Sequence, residues 1–204
     1  GGALTPLTYE PGGLVGGSQD GYSLVGQTHG FPGLTPNGFW GPAPPADGLA
    51  LHPGKHSHAI DYLVVRWTAG VHSDGTFNIA GAQTVENGGN NGTTLDILHN
   101  GGSEFTTIVS GGATEAFDLD LTIVAGDTVD FIIGNNDDWG GDRSSLSATI
   151  TGTPIDVTDT AETIAQIRDD YDAQTPVATE SSIGKIADTH GTGAWDFYGS
   201  ETIG

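Results

Sequence analysis

Phe117-Asp118-Leu119-Asp120-Leu121-Thr122-Ile123 alternates apolar and polar side chains without a break. Successive side chains of a strand point to opposite faces. The run therefore buries Phe117, Leu119, Leu121 and Ile123 and leaves Asp118, Asp120 and Thr122 wet. Downstream, Gly126-Asp127 turns into the apolar stretch Thr128–Ile133, and Leu146, Ala148 and Ile150 alternate again. Upstream, Phe105–Val109 follows Asn100-Gly101, a hairpin signal because both central positions tolerate positive φ. Before that turn Leu95, Ile97 and His99 alternate, Phe77 and Ile79 alternate after Asp74-Gly75, and Tyr62–Thr68 is apolar enough for a central strand. Short strands at this spacing, with turn residues between them, predict an all-β fold: an antiparallel β-sandwich or jelly roll.

Composition supports that class and narrows the function. Of 204 residues 34 are Gly, without the three-residue period of collagen, so the glycines serve turns and extended tracts. Five Lys and Arg stand against 26 Asp and Glu, a formal net charge of −21. Such a chain repels nucleic-acid phosphates and anionic lipid surfaces, whereas its carboxylates suit divalent cations. No run approaches the length of a membrane span, which argues against insertion. Without Cys there are no disulfides, Cys-bound zinc or thiol catalysis. The chain contains no Met and starts Gly1-Gly2, which reads as a processed or excised chain and, with the acidity, as an extracellular or cell-surface one.

Around the core the character changes twice. Residues 1–59 hold Pro11-Gly12-Gly13, Phe31-Pro32-Gly33, Thr35-Pro36-Asn37-Gly38 and Gly41–Pro45, none of which continues a helix. Leu4, Leu7, Tyr9, Tyr22, Phe39 and Trp40 are too many large apolar groups for a solvated linker. This part is expected to be an extended Gly/Pro-rich arm packed on its own domain or on a neighbour. Residues 60–152 form the sandwich core. In 153–204, Ile164, Ile167 and Tyr171 at helical spacing after Asp159-Thr160 predict one short helix. The aromatic tail Ala194-Trp195-Asp196-Phe197-Tyr198-Gly199 then reads as a docking strand or the start of a further domain.

A family resemblance rests on Leu51-His52-Pro53-Gly54, Val64-Val65-Arg66-Trp67-Thr68, Gly75–Gly81, Ile97–Gly101, Ala125–Phe131 and Ala148–Thr151. Over about residues 50–152 the chain resembles the carbohydrate-binding-module-like β-sandwiches of secreted multidomain bacterial proteins. The resemblance implies two antiparallel sheets, often with a calcium ion near one edge. Such modules serve both as sugar binders and as purely structural units.

Three features are candidate sites. Gly134–Arg143 clusters Asn136, Asp137, Asp138 and Asp142 on a turn, oxygen donors suited to calcium, and Trp139 beside them offers a ring face to a sugar. Read plainly, the same loop is an acidic turn with Arg143 paired to a neighbouring Asp. His52, Lys55, His56 and His58, with Asp61 and His72, form the imidazole cluster; His56 and His58 share a strand face and suit zinc or copper, or else hydrogen-bond the backbone. Asn91-Gly92-Thr93 is an N-glycosylation sequon.

The sequence has no Gly-x-Ser-x-Gly elbow, His-Glu-x-x-His pair or phosphate loop, so a non-catalytic role is expected. Two roles follow. One is an extracellular structural subunit that self-assembles into a filament, tubule or surface layer through extended arms packed on neighbouring sandwiches. The other is a carbohydrate-binding module cut from a larger enzyme or adhesin, with polysaccharide as partner. Trp40, Trp67, Trp139 and Trp195 are its candidate platforms, with Trp67 expected to be buried in a core-like strand and Trp139 the best exposed.

Overall fold

The computed structural model describes residues 4–14, 19–23, 32–35, 49–54, 62–70, 73–86, 91–137, 140–154, 185–187 and 193–200. Among them there is no helix; the helix expected over Thr160–Tyr171 falls outside the described residues. The strands are β1 (Leu4–Pro6), β2 (Thr8–Leu14), β3 (Gln19–Ser23), β4 (Gly33–Thr35), β5 (Leu49–His52), β6 (Tyr62–Ala69), β7 (Gly75–Val85), β8 (Thr93–His99), β9 (Gly102–Val109), β10 (Thr114–Ile123), β11 (Thr128–Gly134), β12 (Ser144–Pro154), β13 (Lys185–Ala187) and β14 (Gly193–Ser200). They form two antiparallel sheets facing one another. The first runs β1-β14-β6-β11-β8-β9, with β13 also paired to β14, and the second runs β10-β7-β12-β5-β4-β3-β2.

The core is the layer between the sheets. Leu63, Val65 and Trp67 of β6 and Val129, Phe131 and Ile133 of β11 meet Phe77 and Ile79 of β7, with Phe117, Leu121, Leu146 and Ile150 beside them. Phe117, Leu121 and Ile123 are buried while Asp118, Asp120 and Thr122 are exposed, the alternation read from the sequence. Asn100 (φ 52°) and Gly101 (φ 81°) make the expected left-handed pair between β8 and β9. On the outward side of the first sheet, Arg66 Nε and Nη2 donate to Asp130 Oδ1 and Oδ2 at 2.5 and 2.6 Å, a bidentate pair one strand apart.

Three strand glycines lie beneath aromatic rings, and at Gly81 the Ser147 carbonyl oxygen of β12 is closer still. Gly152 is the register partner of Phe77, Gly81 of Phe117, and Gly134 follows Ile133, the partner of Leu63, placing it opposite Tyr62. In each pair the ring lies over the glycine. A Cβ on Gly152 would sit 2.5 Å from Phe77 Cζ, one on Gly81 2.7 Å from Phe117 Cζ, and one on Gly134 2.7 Å from Tyr62 Cε1. The glycine supplies the space and the aromatic fills it.

The described parts of the stretch read as an arm are strands β1–β5 of the chain's own sheets. Leu7, Leu34, Leu49 and Leu51 within it are fully buried. Pro11 lies in β2, the outermost strand of the second sheet, within the register break between Glu10 and Leu14 of the β2–β3 pairing. The aromatic tail is β14, paired over its whole length with β6, from Gly193↔Ala69 to Ser200↔Tyr62. β1 lies against its far side, with Leu4 opposite Ser200.

Candidate functional site

The Asn/Asp loop leaves β11 at Gly134 and enters β12 at Ser144, at one end of the sandwich. Asn135 is buried; its Nδ2 donates to the Gly54 carbonyl at 3.2 Å and its Oδ1 accepts the Asp137 N–H at 3.2 Å. Asn136 and Asp137 then take left-handed φ of 45° and 68°, which Asn and Asp accept more readily than other residues. The loop is clamped sideways as well. Asn136 Nδ2 donates to the Asn91 carbonyl at 2.9 Å, and Asn91 Nδ2 donates back to the Asn136 carbonyl. The nitrogen that a glycan would occupy at the sequon is thus one half of this clamp.

Beyond the turn the loop sinks into the protein. Asp142 is fully buried, and Arg143, also buried, makes an ion pair with Glu86, whose N–H donates to the Arg143 carbonyl at 2.9 Å. Burial lowers the Arg143 pKa from its usual value. Glu86 directly follows the last residue of β7. Below the pair, Gln83 Nε2 donates to Thr93 Oγ1 at 2.8 Å and to Ser144 Oγ at 3.4 Å, so a polar plug closes the core at this end.

His52 belongs to the same end. Its Nδ1 is 2.8 Å from the Pro53 carbonyl, and the adjoining Gly54 holds Asn135. Desolvation lowers its pKa to about 4, against the Pro53 hydrogen bond and with a small push from the Arg143 charge. The sign of the pH effect follows. A histidine kept neutral in the fold binds fewer protons than in the unfolded chain, so stability falls as pH drops from about 6.5 toward 4. The expected loss is about 3 kcal/mol over that window. Urea midpoints at pH 7.5 and 4.5 should converge for His52→Gln, and an equal pH slope in both proteins would exclude His52 as the source.

The structure thus brings Asn91, Asn136, Asp137, Asp142 and His52 to one end of the sandwich. Asp138, Trp139, Lys55, His56, His58, Asp61 and His72 lie outside the described residues. Among the described residues no three His, Asp or Glu side chains converge as a metal group. Of the described members of the calcium set, Asn136 donates its side-chain amide to Asn91 and Asp142 is fully buried. Trp67 is fully buried, its ring centroid 6.0 Å from that of Phe77, and cannot serve as a sugar platform.

No family model, curated protein or solved structure matches the chain. Function has to be argued from the geometry alone.

The opposite end carries a second polar cluster that the sequence reading passed over. His99 Nε2 is 3.0 Å from Asp127 Oδ2, Asn100 Nδ2 donates to Asp127 Oδ1 at 2.7 Å, and the Val124 N–H donates to Asp127 Oδ2 at 2.9 Å. Burial alone would raise the Asp127 pKa, but the Val124 N–H, Asn100 and His99 together hold it below the usual carboxylate value. Asn100 Oδ1 accepts the Thr128 N–H at 2.9 Å. These contacts tie the 99–101 hairpin to the 124–127 turn, and the histidine–carboxylate pair is taken up in that task.

Proposed function

We propose that the chain is a non-catalytic, extracellular structural subunit that assembles with copies of itself. The observation that carries this reading is the way the first sheet is completed. β14 lies inside that sheet, between β6 and β1, yet it is joined to the sandwich only through the long stretch after Pro154. A sheet that is finished by a strand arriving over a long connection is one that a neighbour's strand can also finish. Here β1 and β14 both pair within their own chain, which is the closed form of the subunit and requires no partner. Assembly is the open counterpart of the same pairing. An acidic surface of net charge −21 keeps such subunits dispersed until the specific contact forms.

The test is sedimentation of the full chain over a range of concentrations, with calcium present and after its removal by chelation, with electron microscopy of the same samples. Species well above 20.8 kDa that grow with concentration are expected. If calcium at Asn136, Asp137, Asp138 and Asp142 braces the loop end, chelation lowers both the melting temperature and the assembled fraction. A 20.8 kDa monomer under every condition would overturn the structural reading and make polysaccharide binding, through Trp139, the question to pursue. Deleting residues 1–50 is no substitute test, because it removes the buried Leu7, Leu34 and Leu49.

A further inference from the structure

The partner surface of this subunit can be named more closely. Resting on the assembly reading, we propose that the β13–β14 hairpin is an exchangeable element: residues 185–200 of one copy fill the slot between β6 and β1 of a second copy.

The argument starts from what the slot is. β6 is an apolar strand of the first sheet, with Leu63, Val64, Val65 and Trp67 all buried. Without β14 it would present a long open edge of backbone N–H and C=O groups beside the core, a template for any strand of matching register. β14 satisfies it over eight consecutive pairs, with no register shift. The occupant is held by its flanks, since β13 pairs with it at Lys185↔Asp196 through Ala187↔Ala194, and β1 pairs with Leu4↔Ser200 through Pro6↔Tyr198. β13 and β14 follow one another closely in the chain, so they move as one hairpin.

Reach is the second point. Residues 155–184 separate β12 from this hairpin in sequence. A connection of that length spans up to about 100 Å when extended, against roughly 35 Å for the longest strands of the sandwich. The hairpin can therefore seat in its own body or in an adjacent one, and the contacts made are the same in both. The choice is set by concentration. Linkage within one chain gives its own hairpin an effective concentration of order millimolar, so dilute protein closes on itself and concentrated protein exchanges.

The remaining edges are poor alternatives. β9 and β10 border the two sheets along one side and carry Glu104, Glu115, Asp118 and Asp120, all exposed. A second copy would bring the same charges to the same edges, which discourages pairing there. At the far border of the second sheet, Pro11 interrupts β2. The β6 slot is the apolar, regular edge, and its occupant comes from a distant part of the chain.

The chain has no cysteine, so exchange can be read by disulfide trapping. Thr68 and Ala194 are register partners across β6 and β14, and Cβ atoms of such partners lie within about 4.5–5.5 Å, near bridging distance. Thr68→Cys chains and Ala194→Cys chains, distinguishable by a mass tag, are mixed at millimolar concentration or refolded together, then oxidised. Exchange predicts a covalent species containing one chain of each kind, at least tenfold above an Ala194→Cys and Ser103→Cys mixture, in which Ser103 sits on the distant β9 edge. The double variant Thr68→Cys/Ala194→Cys, oxidised while dilute, should close within one chain and then lose the ability to exchange. Thermal melts of each single variant establish that it folds. Mixed cross-links no more abundant than the Ser103 control would overturn the exchange. Large assemblies by sedimentation without those cross-links would leave the structural reading standing and remove β14 as its link. Cross-linked pairs that never grow into larger species would support exchange and count against a polymer.

Discussion

Gly81→Val is expected to abolish folding, read as loss of the cooperative urea transition and of the strand signal in far-ultraviolet circular dichroism. A Cβ at this position runs into the Ser147 carbonyl oxygen and lies 3.0 Å from Ala148 Cα, both backbone atoms of the paired strand β12. Backbone cannot step aside without breaking the β7–β12 ladder, which runs from Ser144↔Val85 to Pro154↔Gly75 through the middle of the second sheet. The loss should exceed about 4 kcal/mol, a large share of what a domain of this size has. Gly152→Ala is the informative contrast. The atoms in its way belong to the Phe77 ring alone, so overpacking of about 1–3 kcal/mol is expected. Phe77→Leu should recover part of that loss, whereas Phe117→Leu should not rescue Gly81→Val. Equal rescue at both sites would show that the rings, not the β12 backbone, set the constraint.

Trp67→Ala comes next in size. Trp67 is fully buried at the centre of β6, tilted 46° against Phe77. Removing the indole opens a cavity where the two sheets meet, at a cost of about 3–5 kcal/mol. Trp67→Phe should be much milder. The indole Nε1 is buried with no acceptor among the described residues, and leaving such a donor unmade already costs about 1–3 kcal/mol. Phenylalanine removes that cost while keeping most of the ring volume, so a net loss of about 1 kcal/mol or less is expected. Urea midpoints at an unchanged m-value make the comparison. If Phe and Ala are equally damaging, the indole N–H is satisfied after all and the packing argument is incomplete.

These two sites mark where the sequence was readable and where it was not. Phe117–Ile123 was legible because burial imposes a period of two on a strand with one wet face, and Tyr62–Thr68 because a central strand is apolar throughout; the observed strands contain both runs. The extents were underread at the glycines. Thr76–Gly81 looked complete at Gly81, yet β7 continues to Val85; the tract after Ile133 looked like loop, yet Gly134 is the last residue of β11. A strand glycine looks like a break until the ring opposite is known, and that ring comes from another part of the chain. The stretch 1–59 hid its strands for a related reason. Gly and Pro dominate it locally, while the pairing that makes β5 a strand is supplied by β12, and β4 in turn pairs with β5.

The loop end was legible as composition but not as construction. Asn136, Asp137 and Asn91 were each singled out, yet their clamp joins residues 45 positions apart and depends on where β8 and β11 lie in the sheet. Arg143 was visible as a lone cation among carboxylates, and its partner Glu86 was not, because only the β7–β12 register brings them together. Asn135 and Gln83 carry no signal of their own. Buried amides that hold a loop resemble exposed ones until their partners are placed.

The placement of β14 also has a consequence in time. The Asn100–Gly101 hairpin closes between neighbours in the chain and can form within microseconds, whereas β14 must find β6 from Gly193 to Ala69. Contacts of such long separation form late, since the entropy of closing the loop is lost before the contact repays it. β6, β11, β8 and β9 can therefore pair before β14 arrives, and β1, whose pairing is with β14, waits on it. If the hairpin exchanges as proposed, β6 is then open to whichever copy of residues 193–200 arrives first, and the crowding of newly released chains decides which one it is.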